Sequence, residues 1–215
     1  RGCRGEHCTA GKGFERNGVL RFYGKGFYLA GSQGFVDGGS QYTQSRKPER
    51  KGISIALFHF HVTQIKRSAG QSAVASAAYR SGEKLHSEYY GEDSDYTQKG
   101  GVLCSEILLP PHAPPSFADR QTLWNEVEKA ERGKKAQLAY SFDIALQNEF
   151  SMQENIGLAR QFLLEQFVSR GMVVDFSVHA PDKGDGGITN PHFHVMCPIR
   201  PLLTDGKWGS KQRRE

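Results

Sequence analysis

Apolar and polar positions along the chain change rhythm several times, and each change predicts an element. Residues 1–50 carry no lasting apolar periodicity; eleven of them are glycine, and a polar tract runs from Gly38 to Lys51. Such a stretch buries too little apolar surface to offset chain entropy, so it reads as a disordered extension ahead of a domain over residues 51–215. From Ile53 to Val62 the run ISIALFHFHV is rich in β-formers and predicts a buried first strand. The Ala-rich run from Gly70 to Leu85 predicts a helix with Ser72 near its start. Residues 86–101 are polar and rich in Tyr and Gly, which reads as a loop. Val102–Leu109 reads as a short strand closed by Pro110-Pro111.

Ser116 to Lys129 places Leu123, Trp124 and Val127 at helical spacing, with Asp119 in the first turn. Leu138–Leu146 reads as a strand. Ser151 to Glu154 resembles a capping box, and Ile156, Leu158, Phe162, Leu163 and Phe167 carry that helix towards Gly171. Met172–His179 and His192–Ile199 read as strands joined by a Gly/Asp-rich loop over residues 181–190. The order β-α-β-α-β-α-β-β ends in a hairpin, which predicts an α+β protein: a mainly antiparallel sheet with helices on one face.

Composition narrows the function classes. The 215 residues suit one domain with an appendage. The net charge of +5 is confined to residues 1–50, with nine basic against four acidic residues; residues 51–215 hold nineteen of each. The alkaline pI of about 9.0 is therefore no electrostatic footprint for the main domain, and any nucleic-acid contact there must come from local clusters. No run approaches the roughly 18–20 apolar residues of a membrane span. The first segment lacks the apolar block of a secretory signal. The four cysteines have no paired CxxC spacing, which argues against a disulfide framework or a zinc ribbon. The expectation is a soluble cytoplasmic protein without membrane insertion.

The candidate chemistry lies in histidines. His192 and His194 sit two apart on a predicted strand, so their side chains share a face. His179 ends the preceding strand, and a hairpin would bring it beside them, giving three imidazoles able to hold one divalent cation with positions left for substrate oxygens. The competing interpretation makes them polar residues on a solvent face. His59 and His61 form a second pair on the first strand and read as sheet decoration, with support of the site from behind its ligands as the alternative. Tyr79 lies in the Ala-rich helix, where a lone tyrosine is ordinarily a packing residue. Lys66, Arg67, Arg80 and Lys84 flank that helix as a basic cluster suited to phosphates.

Taken in order, these pieces resemble one family. A Phe-His-Phe opening strand, GQSAVASAAYRSGEKL (residues 70–85), WNEVEKAE (124–131), Ile144-Ala145-Leu146, FVSRGM (167–172), Val178-His179 and NPHFHV (190–195) look like the MobA/MobL conjugative relaxases. These are plasmid mobilisation nickases of the HUH (His-hydrophobe-His) class. The resemblance runs from about Ile53 to the end of the chain. It implies a five-stranded antiparallel palm with flanking helices, ferredoxin- or RRM-like. It also implies that Tyr79 attacks a DNA phosphodiester and becomes joined to the 5′ end, with His179, His192 and His194 as metal ligands. Asp143 stands where relatives commonly carry a glutamate near the metal. Mg²⁺ or Mn²⁺ is implied, although three imidazoles alone equally suit Zn²⁺, Ni²⁺ or Cu²⁺.

The partners implied are single-stranded DNA at an origin of transfer, relaxosome accessory proteins and a type IV secretion coupling protein. A helicase or primase region commonly follows such a domain, so a domain cut short at Glu215 is expected. Two other readings remain. A replication initiator of the HUH class would carry its tyrosine after the histidines rather than before them. A non-catalytic single-strand-binding module would use Phe58 and Phe60 as stacking platforms.

Overall fold

The computed structural model describes residues 59–180 and 191–211, with two short strands, β1 (Arg21–Phe22) and β2 (Phe27–Tyr28), that pair antiparallel. The disorder expected for the rest of residues 1–50, the start of the first predicted strand and the 181–190 loop lie outside the described residues. The strands that follow are β3 (Phe60–Lys66), β4 (Lys84–Ser87), β5 (Glu92–Asp95), β6 (Val102–Leu108), β7 (Gln137–Ala145), β8 (Val174–His179) and β9 (His192–Pro198). The helices are α1 (Ala73–Ser81), α2 (Arg120–Ala130) and α3 (Met152–Gln166).

Five strands form one sheet in the order β3-β7-β9-β8-β6, every neighbouring pair antiparallel. The last strand in sequence thus lies in the middle. Its alternation shows why: Phe193, Val195 and Cys197 enter one apolar cluster, while Met196 enters another on the opposite face with His192 and His194. All six residues of β8 are buried, so both faces of the sheet need cover. Val74, Ala77 and Ala78 of α1 and Leu123, Trp124 and Val127 of α2 cover the Met196 face. Ala159 and Leu163 of α3 pack with Ile144, Phe176 and Val195 on the other. The helices therefore flank two faces, not the single face expected.

Local differences have local causes. The described part of the first strand, β3, has only β7 as a neighbour, and Phe60 to Thr63 are exposed, so the buried strand expected there is not found over these residues. The Ala-rich helix stops early, because Gly82 adopts φ 70° and caps it through its N–H to the Ala78 carbonyl. Leu85 belongs instead to β4, and part of the expected 86–101 loop is a β4–β5 hairpin in which Leu85 and Ser87 point inward. Asp119 is the N-cap of α2, accepting from Thr122 N–H. The Ser151–Glu154 capping box forms as the spacing predicts.

Candidate functional site

Sheet register assembles the site. Asp143 on β7 is the register partner of His61 on β3 and of His194 on β9, and His194 in turn faces Ser177 on β8. Two rows along, on the same face, Ala145, His192 and His179 stand abreast. His179, His192 and His194 consequently meet at one end of β8 and β9, each offering a nitrogen within 4.8 Å of the others. Their ring centroids are 4.6 Å apart for His179–His194, 4.9 Å for His192–His194 and 6.1 Å for His179–His192.

Hydrogen bonds orient two of the rings. His179 Nε2–H donates to the Arg80 carbonyl at 2.7 Å, so in the neutral ring Nδ1 carries the free lone pair. Burial pushes the His179 pKa down to about 4, and the neighbouring His194, Lys99 and His192 add to that shift. The ring is neutral at physiological pH, the form that binds metals. His194 Nδ1 contacts Asp143 Oδ1, which leaves Nε2 as the nitrogen available to a ligand. The same bond, first among the causes, holds the Asp143 carboxyl below its usual range, with Arg80 and His61 acting in the same direction. Three half-buried to buried imidazoles, two with their far nitrogens fixed, fit a divalent cation. His61 places Nδ1 3.7 Å from Asp143 Oδ2, behind His194, the alternative to sheet decoration.

Tyr79 stands on the last turn of α1, half exposed at 48%. Ala77 and Ala78, fully buried against the sheet, let this helix approach closely. The carbonyl of the next residue, Arg80, receives the His179 bond, so the turn bearing Tyr79 is tied to the imidazole trio. Tyr96 meets the Tyr79 ring edge-on, and the Lys99 ammonium lies over its face. Neither Tyr96 nor Lys99 stood out in the sequence, since both sit in the stretch that reads as loop.

The expected basic cluster is not assembled on the surface. Arg67 is buried, donates to the Glu128 carbonyl at 2.7 Å and to the Glu131 carbonyl, and stacks on Tyr89 at 3.7 Å. It clamps the C-terminus of α2, where helix carbonyls lack internal partners. Arg80 donates to Ser141 Oγ at 2.8 Å and to the Ser76 carbonyl at 3.0 Å, with burial lowering its pKa and Asp143 and Asp175 opposing that shift. Both guanidiniums are internal ties rather than surface contacts. Lys84 is exposed and paired with Asp93 at 2.9 Å, and Lys66 is half-buried at the end of β3. Beneath the site, Arg120 bridges Asp175 and Glu83 while Trp124 Nε1–H donates to Asp175 at 2.8 Å.

An α+β domain that brings a His-hydrophobe-His pair and a third histidine to one face of a five-stranded antiparallel sheet, beside a tyrosine-bearing helix, has the architecture of an HUH-type protein. Comparison with known proteins narrows this. The MobA/MobL family profile matches residues 71–215. A conjugal transfer protein TraA of Rhizobium radiobacter is 39% identical over 168 residues, covering 74% of this chain and 15% of that protein. A probable mobilization protein MobA of Bifidobacterium longum is 34% identical, covering 75% of this chain and 28% of that protein. Mobilization protein MobL of Acidithiobacillus ferridurans is 37% identical, covering 72% and 41%. A solved structure described as the molecular basis of vancomycin resistance transfer in Staphylococcus aureus superposes with a TM-score of 0.67 at 35% identity, covering 74% of this chain and 78% of that one. This chain belongs to the MobA/MobL family of conjugative mobilisation relaxases. It spans less than half the length of these curated relatives. Among the described residues no helix is long and apolar enough to cross a membrane.

Proposed function

We propose that this domain nicks one DNA strand at a plasmid origin of transfer, with Tyr79 as nucleophile and His179, His192 and His194 holding a divalent cation, Mg²⁺ or Mn²⁺. One observation carries the proposal: the His179 bond to the Arg80 carbonyl, which joins the imidazole trio to the helix turn bearing Tyr79. The Tyr79 oxygen forms a bond to the scissile phosphorus as the bond to the 3′ oxygen breaks. The phenolic proton ends on the released 3′-hydroxyl, and the 5′ phosphate stays esterified to the protein. One phosphoester replaces another, so the reverse reaction reseals the strand. The role of α1 is alignment of the phenol with the leaving oxygen. Asp143 holds the His194 ring so that Nε2 faces inward. A cation on the trio would neutralise charge on the non-bridging phosphate oxygens.

The substrate of this reading is single-stranded DNA, with Lys66 and Lys84 as the surface members of the predicted phosphate contacts. Its setting is the bacterial cytoplasm, with relaxosome accessory proteins and a type IV secretion coupling protein as partners. The test incubates the protein and Mn²⁺ with labelled oligonucleotides tiling the transfer origin of the plasmid that encodes it. The wild type forms a covalent adduct and Tyr79→Phe forms none. His192→Ala loses nicking while keeping most DNA affinity, because phosphate contacts elsewhere supply it. Tight binding without adduct at every sequence would replace the enzyme with a non-catalytic single-strand-binding module. Unchanged nicking by His192→Ala would remove the metal assignment.

A further inference from the structure

The last turn of a helix leaves carbonyls without partners inside the helix, and Tyr79 sits there with its ring half exposed. The segment between β5 and β6 folds back over this end. Tyr96 N–H donates to the Glu83 carbonyl at 3.1 Å, and Lys99 N–H donates to the Tyr96 carbonyl at 2.9 Å, so the 96–99 turn is fastened just beyond α1. Gly82 lies against this turn: a Cβ there would stand in ordinary van der Waals contact with the Tyr96 and Lys99 carbonyl oxygens, at 3.8 and 3.9 Å. From this turn Lys99 reaches one residue in two ways. Its Nζ donates to the Tyr79 carbonyl at 2.9 Å and lies 3.4 Å from the centroid of the Tyr79 ring. Tyr96 meets the same ring at 5.2 Å with planes 87° apart.

We infer that Lys99, supported by Tyr96, is a positioning residue that clamps the Tyr79 phenol in the orientation from which it attacks. The inference rests on the reading of Tyr79 as nucleophile. A charged donor at a helix C-terminus strengthens the bond to the carbonyl, and the same charge is attracted to the negative face of the ring. Each contact alone is weak. Because one ammonium makes both, the backbone and the ring of Tyr79 are tied to a single point, which restricts both side-chain torsions at once. Nucleophilic displacement at phosphorus is sensitive to alignment, so a restricted phenol reacts faster than one sampling several rotamers.

The test uses the full chain and two readouts. In metal-free, DNA-free protein, NMR should show the Lys99 ε-methylene protons displaced upfield by the ring in wild type and in Tyr79→Phe. They should return to ordinary positions in Tyr79→Leu. Ordinary positions in the wild type would overturn the clamp. In single-turnover nicking with Mn²⁺ at saturating oligonucleotide, Lys99→Met should lower the rate constant about 10–100-fold with oligonucleotide affinity nearly unchanged, and Lys99→Arg should restore most of it. A Lys99→Met variant that nicks at the wild-type rate, or loses affinity instead of rate, would also overturn it. Failure of the nucleophile reading shows separately, as nicking that persists in Tyr79→Phe.

Discussion

Asp143 and His194 face each other as register partners across the β7–β9 ladder, and the carboxylate Oδ1 contacts imidazole Nδ1. Although aspartate reaches less far than the glutamate implied by the family resemblance, direct cross-strand pairing makes its length sufficient. The contact fixes the ring nitrogen that points inward. Asp143→Asn keeps the shape and loses the charge, and the expected result is a 10–100-fold weaker Mn²⁺ affinity by calorimetry or Mn²⁺ EPR. Unchanged affinity would mean the carboxylate does not support the ligand.

The cation should matter little to the fold. His179 and His192 are already register partners in the β8–β9 ladder, so backbone pairing brings the trio together before any metal binds. Chelation with EDTA is expected to leave the circular dichroism spectrum intact and to remove only the linkage term, about 2.7 kcal/mol at a metal concentration 100 times Kd. Loss of secondary structure on chelation would point to a structural metal site instead.

In metal-free protein, stability should fall on acidification through His179. Its folded pKa is lowered to about 4 from an ordinary 6.5 by burial, with the neighbouring His194, Lys99 and His192 also disfavouring its charge. Between these values the unfolded chain binds the extra proton, so this contribution is fully present above about pH 6.5 and is lost as pH falls towards 4. Urea midpoints across this range, compared with those of His179→Gln, should show the variant with a flatter pH dependence.

Asp175 should be among the residues whose loss is most damaging to stability. It is 5% exposed, accepts from Arg120 and from Trp124 Nε1–H, and Arg120 is itself 8% exposed. Asp175→Ala leaves the guanidinium buried with its main counter-charge gone, and a loss of about 3–5 kcal/mol is expected in chemical denaturation. Glu83, the second carboxylate on Arg120, is more exposed and should matter less.

Gly82→Ala should cost about 1–2 kcal/mol, since φ is +70° and the new methyl would meet Val102 Cγ2 at 3.2 Å. Urea denaturation of the wild type and the variant measures this loss.

Much of this arrangement is legible residue by residue. A period of two puts His192 and His194 on one face, Ser151 and Glu154 cap α3, and the Ala-rich run carries Tyr79 on a helix. Each is a signal contained in a short window, because strand alternation and helix capping depend on neighbouring residues. Contacts between distant segments were not legible. Asp143 and His194 are 51 residues apart, and nothing in either segment says that β9 inserts between β7 and β8. Arg67 and Arg80 look like surface cations in the sequence, yet packing turns one towards the carbonyls of α2, more than 60 residues away, and the other towards Ser141. The placement of α3 on the far face, His61 beside Asp143 and Lys99 over Tyr79 have the same origin. Local periodicity sets which side chains share a face; strand order and core packing, which minimise exposed apolar area over the whole domain, choose what that face meets.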